Sequence, residues 1–139
     1  MPNLTLIRGL PGSGKSTIAE YLSDFPGAYH VETDMFFTDY NGNYEWNREN
    51  LTAAHTWCLS EARKAMKNDH EVFVSNTFTT FHELRPYFEL AKEYEILPTV
   101  ILCQNDWGNV HNVPVGTILN MKKRFVYDLS PLFQEYTIR

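Results

Sequence analysis

Gly9, Gly14, Lys15 and Ser16 stand in the spacing Gly-x-x-x-x-Gly-Lys-Ser, the Walker A pattern, which is built to hold a phosphate chain. Glycines let successive backbone N–H groups turn toward an anion with no Cβ in the way. A helix opening at Lys15 adds the partial positive charge of its N-terminus. The Lys15 ammonium can reach the outer phosphates, and the Ser16 hydroxyl can ligate Mg²⁺. Gly9, Pro11, Gly12, Ser13, Gly14, Lys15, Ser16 and Thr17 are therefore the candidate nucleotide-binding residues. The chain has no Asn-Lys-x-Asp motif of the kind that reads guanine, which favours ATP as the nucleotide.

Two further places could take part in the same chemistry. Asp34 follows the stretch "AYHVET". A kinase needs a carboxylate near the acceptor hydroxyl, to accept its proton as the phosphoryl group moves. By spacing alone Asp34 fits that role, and it equally fits a helix cap or a solvated loop carboxylate. Glu32 is the weaker candidate, a strand-end surface residue or a group behind the reacting ones. In "EVFVSNTFTT" the position expected to carry a metal-supporting aspartate holds Asn76. A neutral amide oxygen can orient Mg²⁺-bound water but neutralises no charge, and it can also cap a turn. That leaves Asp34 as the clear carboxylate expected near the metal.

The elements that must position these residues can be read from the hydrophobic pattern. Leu4 to Ile7 is a short apolar run closed by Gly9, a strand signal. Ile18, Ala19 and Leu22 recur at helical spacing until Asp24-Phe25-Pro26-Gly27 breaks the helix. Ala28 to Val31 predicts a second strand, Glu71 to Ser75 a third and Thr99 to Cys103 a fourth. Residues 38–47 read as a loop or small hairpin around Asn41-Gly42. Leu51, Ala54, Cys58, Ala62 and Met66 define one face of a long helix over 48–67. Thr80 and Glu83 form a capping box for a helix over 81–93. Pro114 opens a last helix that turns Ile118, Met121 and Phe125 inward. The tail over 130–139 is too short for a domain. Strand and helix alternating four times predicts an α/β domain, 1–139, with a parallel sheet covered on both faces and ligands at the carboxyl ends of its strands.

Composition bounds the rest. The 139 residues carry 43% hydrophobic side chains and a formal net charge of −5, so a packed core is expected and a general nucleic-acid footprint is not. Binding of one strand end at a local site stays open. Cys58 and Cys103 have no CxxC spacing and are expected to be reduced and buried. No secretory layout and no membrane-length apolar run occurs, so a soluble, cytoplasmic protein is expected, with no membrane partner. The oligomeric state is not legible.

The blocks "RGLPGSGKST", "VETDMFF", "GNYEW", "AAHTWC", "VFVSNTFTTFHELRPYFELA" and "GNVHNVP…NMKKRF" together resemble a group of small phage and cellular ATP-binding proteins. These are related to the kinase domain of phage polynucleotide 5′-kinase and to the kinase-like domain of ubiquitin-ligase-binding proteins. The resemblance covers about residues 4–125 and admits a phage origin. It implies a phosphate-loop kinase fold with a four-stranded parallel sheet in the order 2-3-1-4, and a lid after the fourth strand. It makes Asp34 the general base, places His111 in the lid motif over 109–114, retains His55 at the acceptor pocket, and makes Arg124 a cation for the nucleotide. Three positions depart from it. Phe37 stands where an arginine follows the base, Asn76 where an aspartate is usual, and Gly108 precedes a lid without arginines. Loss of an arginine from such a site can slow transfer by about 10³-fold.

Lone residues also have plainer readings. His55 suits a helix face or core as well as an acceptor pocket, Tyr44 and Trp46 suit core packing as well as stacking on a base, and Lys122-Lys123-Arg124 suits a solvated face. The expected function is Mg²⁺·ATP-dependent phosphoryl transfer to a hydroxyl, of a polynucleotide 5′ end or a nucleoside-like acceptor. The alternative is an ATP-binding regulatory module with little catalysis. An NTPase driving conformational work is a third reading, for which 139 residues leave little room.

Overall fold

The computed structural model describes residues 2–39, 41–106 and 113–137. Four parallel strands form one sheet in the order β2-β3-β1-β4, the order the resemblance implies. The strands are β1 (Asn3–Arg8), β2 (Ala28–Val31), β3 (Glu71–Ser75) and β4 (Thr99–Leu102). β1 is central and buried from Leu4 to Arg8. Its near-continuous apolar run reflects helices on both faces. Leu4, Leu6, Val72 and Val74 alternate with Ile7 and Phe73, so each strand feeds both layers.

Helix α1 (Lys15–Leu22) covers one face, with Ile18, Ala19 and Leu22 against Ile7, Phe73 and Ile101. Helices α2 (Leu51–Lys67) and α3 (Phe81–Glu93) cover the other. α2 buries Ala54, Cys58, Ala62, Ala65 and Met66. It starts three residues later than expected, because Arg48–Asn50 form a separate 3-10 turn capped by the Asn47 side chain. α3 opens on Thr80, whose hydroxyl accepts from the Glu83 N–H. The return bond of this capping box lands one residue early. Glu83 accepts from the Thr79 backbone N–H and hydroxyl.

Helix α4 (Val115–Arg124) follows Pro114. Ile118 and Met121 are half-buried and Phe125 is buried, as the pattern predicts. The tail is more than a tail. Ser130–Tyr136 is a helix, α5, that buries Leu132 and Tyr136. Phe133 and Tyr136 close on Phe88 of α3, with ring centroids 5.1 and 5.6 Å apart. The signal for it was present: Asp128 caps the Ser130 N–H at 2.9 Å, and Pro131 stands in the first turn. No helix among the described residues is long and apolar enough to cross a membrane.

The register decides the site. Ile7 pairs with Ser75, Arg8 with Leu102, and Val31 with Val74. Gly9, Glu32, Asn76 and Cys103 therefore leave the sheet at one edge, side by side.

Candidate functional site

The chain leaves β1 at Gly9 through a space that tolerates no side chain. A Cβ there would lie 2.4 Å from Ser13 Oγ and 2.6 Å from the Cys103 carbonyl oxygen. Gly12 and Gly14 have positive φ of 81° and 95°, a conformation that disfavours other residues. The Ser13 N–H bonds the Leu10 carbonyl at 3.1 Å. Ser13 itself is only 3% exposed, and its hydroxyl has no partner among the described residues.

Lys15 opens α1 and donates Nζ to the Leu10 carbonyl at 3.0 Å. Burial lowers its pKa, and the nearby Asp34 and Glu32 carboxylates offset part of that. A desolvated ammonium facing two carboxylates is a charge suited to an incoming polyanion.

Glu32 is the residue whose part the sequence understated. Ser16 Oγ donates to Glu32 Oε2 at 2.9 Å, with Oε1 at 3.2 Å. Ser75 Oγ donates to the same carboxylate. His30 Nε2 lies 3.3 Å from Oε2 and 2.9 Å from Ser75 Oγ. Burial pushes the Glu32 pKa up, but the hydrogen bonds from His30, Ser75 and Ser16 hold it below the usual carboxylate range. An ionised carboxylate is thus fixed on the proposed metal-binding hydroxyl. Spacing along the chain gave no hint of this, because residues 16, 32 and 75 meet only through strand pairing. The clear carboxylate beside the Ser16 hydroxyl is Glu32, where Asp34 had been expected.

Asn76 is engaged elsewhere. Its Oδ1 accepts from the Thr33 N–H at 2.8 Å, and its Nδ2 approaches Cys58 Sγ at 3.6 Å. It staples the end of β3 to the turn that follows β2. Cys58 is buried, which raises its thiol pKa, and Cys103 is half-buried; both are free thiols.

Asp34 sits in a 3-10 turn, Thr33–Phe37, that follows β2. Its carboxylate accepts from Tyr44 OH at 3.2 Å. Burial and the neighbouring Asp34 raise the Tyr44 phenol pKa, so Tyr44 stays a donor at neutral pH. Phe37 is 7% exposed and packs with Phe36, Tyr44 and Trp46. His55 on α2 is exposed, with Nδ1 3.4 Å from Thr33 Oγ1, at the border of the same turn. Thr38 and Tyr44 form an antiparallel bridge, and Asp39 accepts from the Asn41 and Asn43 N–H groups, as a small turn around Asn41-Gly42 requires.

On the other side of the phosphate loop is a cleft of about 170 Å³, lined in part by Leu10, Ser13, Gln104, Phe125 and Tyr127. Arg124, which precedes Phe125 of this lining in the chain, donates Nε to Thr79 Oγ1 at 3.0 Å. Arg8 lies behind it, 1% exposed. Its guanidinium donates twice to the Phe78 carbonyl, at 3.0 and 2.7 Å, and stacks 4.3 Å over the Phe125 ring. Burial lowers its pKa, with Glu83 acting in the opposite direction. Nothing in the sequence marks Arg8 as buried, since a basic residue at a strand end is ordinarily exposed. His111, expected in the lid, lies outside the described residues, as do Gly108 and Asn109.

Comparison with known proteins agrees with this architecture. The AAA domain family matches residues 4–112. Human NEDD4-binding protein 2 is 36% identical over 94 residues, 66% of this chain but 5% of that protein. The uncharacterized protein PM0531 of Pasteurella multocida is 29% identical over 135 residues, 87% of this chain and 75% of that one. Among solved structures, a chain of the Pnkp1/Rnl/Hen1 complex superposes with a TM-score of 0.57 at 22% identity, over 93% of this chain and 41% of that one. A chain of the Pnkp1/Rnl/Hen1 RNA repair complex does so with the same score at 19% identity, over 97% and 42%. The chain has a phosphate-loop, kinase-like α/β fold and belongs to the AAA domain family.

Proposed function

We propose that this protein is a Mg²⁺·ATP-dependent phosphotransferase that moves the γ-phosphate to a hydroxyl. The observation that carries the reading is the meeting of Ser16 and Glu32 at 2.9 Å, with Lys15 and Asp34 in the same crevice. The site fits the nucleotide: Gly12 and Gly14 take positive φ in the loop, and the buried Ser13 hydroxyl has no partner among the described residues. It also fits the metal, since a hydroxyl backed by a carboxylate is a hard-oxygen set. Ser16 and Glu32 would hold Mg²⁺, directly or through its water, and Asn76 would keep the turn in place. When bound, the ion would supply neutralisation of charge on the β- and γ-phosphates.

The chain's own groups would do the rest. Loop amides and Lys15 would grip the phosphates and draw off charge as the phosphoryl group moves. Asp34 would take the proton of the acceptor hydroxyl. The acceptor O–P bond forms, the bond from phosphorus to the β–γ bridging oxygen breaks, and ADP leaves with the electron pair. The Asp34 proton then passes to solvent. The cleft between Leu10 and Tyr127 would take the adenine, and the basic end of α4, with Arg124, would flank it. His111 would close over the phosphates from the segment after β4. The acceptor would be a polynucleotide 5′-hydroxyl or a nucleoside-like alcohol, and the chain would act in solution inside the cell.

Transfer of labelled γ-phosphate to a panel of alcohols and 5′-hydroxyl oligonucleotides tests this directly. Transfer that is lost in Lys15→Ala and Asp34→Asn supports it. Tight ATP binding with no transfer to any acceptor would sink it, and would favour the binding-module reading that the aromatic Phe37 also suits.

A further inference from the structure

The surface beside Asp34 is aromatic and acidic where a strand end would call for positive charge. The described residues between 33 and 47 include four aromatic side chains, Phe36, Phe37, Tyr44 and Trp46, and three carboxylates, Asp34, Asp39 and Glu45, with no lysine or arginine. From residue 33 to residue 62 the one such cation is Arg48. A phosphodiester backbone is normally met by lysine and arginine, and its binding is driven by neutralising phosphates. Here it would meet a like-charged rim.

The same surface is firmly built. Phe37 is buried as its hub, with Phe36 edge-on at 5.5 Å and Tyr44 and Trp46 each 6.4 Å away. The Glu45 N–H bonds the Phe37 carbonyl at 2.8 Å, which fixes the extended stretch carrying Tyr44 and Trp46. In that stretch Tyr44 and Trp46 share one face. Phe36 leans on Trp57 of α2 at 5.9 Å. Despite this support, Phe36 stays 37% exposed, Met35 37% and Trp46 51%. Large apolar groups held rigid and left in water mark a binding surface. Tyr44 joins this surface to the chemistry, because its hydroxyl holds Asp34.

We propose that the face formed by Met35, Phe36, Tyr44 and Trp46 is an acceptor platform for a free nucleoside, a planar ring bearing an uncharged primary alcohol, and that it disfavours the end of a nucleic-acid strand. The inference rests on the phosphotransferase reading and narrows its acceptor. Stacking on exposed aromatics accepts any base, since every base has a π-face. The ring would lie on Trp46 and Phe36, with the alcohol toward Asp34.

The test is equilibrium binding, which needs no turnover. Free 2-aminopurine riboside, whose emission falls on stacking, is titrated with the protein in the presence of ADP and Mg²⁺. The same base is then presented as the 5′ residue of a short oligodeoxynucleotide. The free nucleoside should bind at least about tenfold more tightly, and the oligonucleotide should gain affinity as salt screens the carboxylates. Trp46→Ala and Phe36→Ala should each weaken nucleoside binding by about tenfold, and Trp46→Phe should retain most of it. An oligonucleotide that binds more tightly than the nucleoside, with affinity falling as salt rises, overturns the proposal without any variant. So does a Trp46→Ala protein that binds the nucleoside like wild type. The two readings fail differently. Failure to bind ATP would sink the phosphotransferase itself. A protein that phosphorylates some other alcohol but binds neither probe would sink this inference alone.

Discussion

Ser16 and Glu32, sixteen residues apart and on different elements, share a hydrogen bond of 2.9 Å at the mouth of the phosphate loop. Loss of a partner that orients a metal ligand typically costs about 10- to 100-fold in metal affinity or activity. Glu32→Gln should therefore raise the Mg²⁺ concentration needed for half-maximal transfer by at least about tenfold, with a smaller effect on nucleotide binding in the absence of metal. Titration of transfer rate against Mg²⁺ at fixed ATP checks this. An unchanged Mg²⁺ dependence would remove Glu32 from the metal site.

Asp34 and Tyr44 should separate as base and positioning residue. General-base catalysis is worth about 10² to 10⁴ in rate. Asp34→Asn should lose on that order in kcat and keep its ATP affinity by calorimetry. Tyr44→Phe removes only the donor that holds Asp34 at 3.2 Å. It should lower kcat by about tenfold or less and leave ATP affinity unchanged. Equal losses in the two variants would contradict this division.

Glu32 also gives a pH signature. Its folded pKa lies below the ordinary value, so the stability it adds is fully present above its unfolded value of about 4.3. That stability is lost as pH falls through the lower folded value. The gap in urea stability between wild type and Glu32→Gln should narrow as pH falls from about 5 to below about 4. A gap that widens over that range would contradict the lowered Glu32 pKa.

Gly9→Ala tests the close packing of the phosphate loop against the end of β4. The added methyl would sit 2.4 Å from Ser13 Oγ and 2.6 Å from a backbone oxygen, and the latter cannot rotate away. Overpacking of this kind costs about 1–3 kcal/mol. The variant should melt earlier and bind ATP far more weakly, as read by thermal denaturation with and without nucleotide. An ATP-induced rise in melting temperature equal to that of wild type would refute it.

Much of the fold was legible because its signals are local. Gly9 ends an apolar run, Leu51 to Met66 mark one helical face, and Thr80 and Glu83 stand at capping distance. The site was legible only where chemistry follows chain order, as in the phosphate loop. Glu32 was read as a minor carboxylate because its partners come from positions 16, 30 and 75. Parallel pairing brings such residues together, and no periodicity reports it. The Asn76 partner is hidden for the same reason. The place of Asn76 after β3 suggests a metal role, but its Thr33 partner belongs to a neighbouring strand end. Helix α5 was missed since seven residues are too few to form a helix alone. It exists because Phe88 offers it a surface.

Arg8 has a consequence for the thermodynamics of nucleotide capture. Its guanidinium is clamped to the Phe78 carbonyl and the Phe125 ring, and its own carbonyl accepts from the Cys103 N–H at 2.8 Å. The strand is thus immobilised up to the last atom before Gly9, and α1 immobilises the chain again from Lys15. Between them lies a span of six residues with both ends pinned, and the Ser13–Leu10 bond ties it across its middle. Most of the entropy of ordering such a loop is surrendered when the protein folds, so little is left to lose when a phosphate arrives. Loosening one end should move that cost back into binding. Calorimetry on Arg8→Met should show a less favourable binding entropy for ATP, even where the enthalpy of the phosphate contacts is kept.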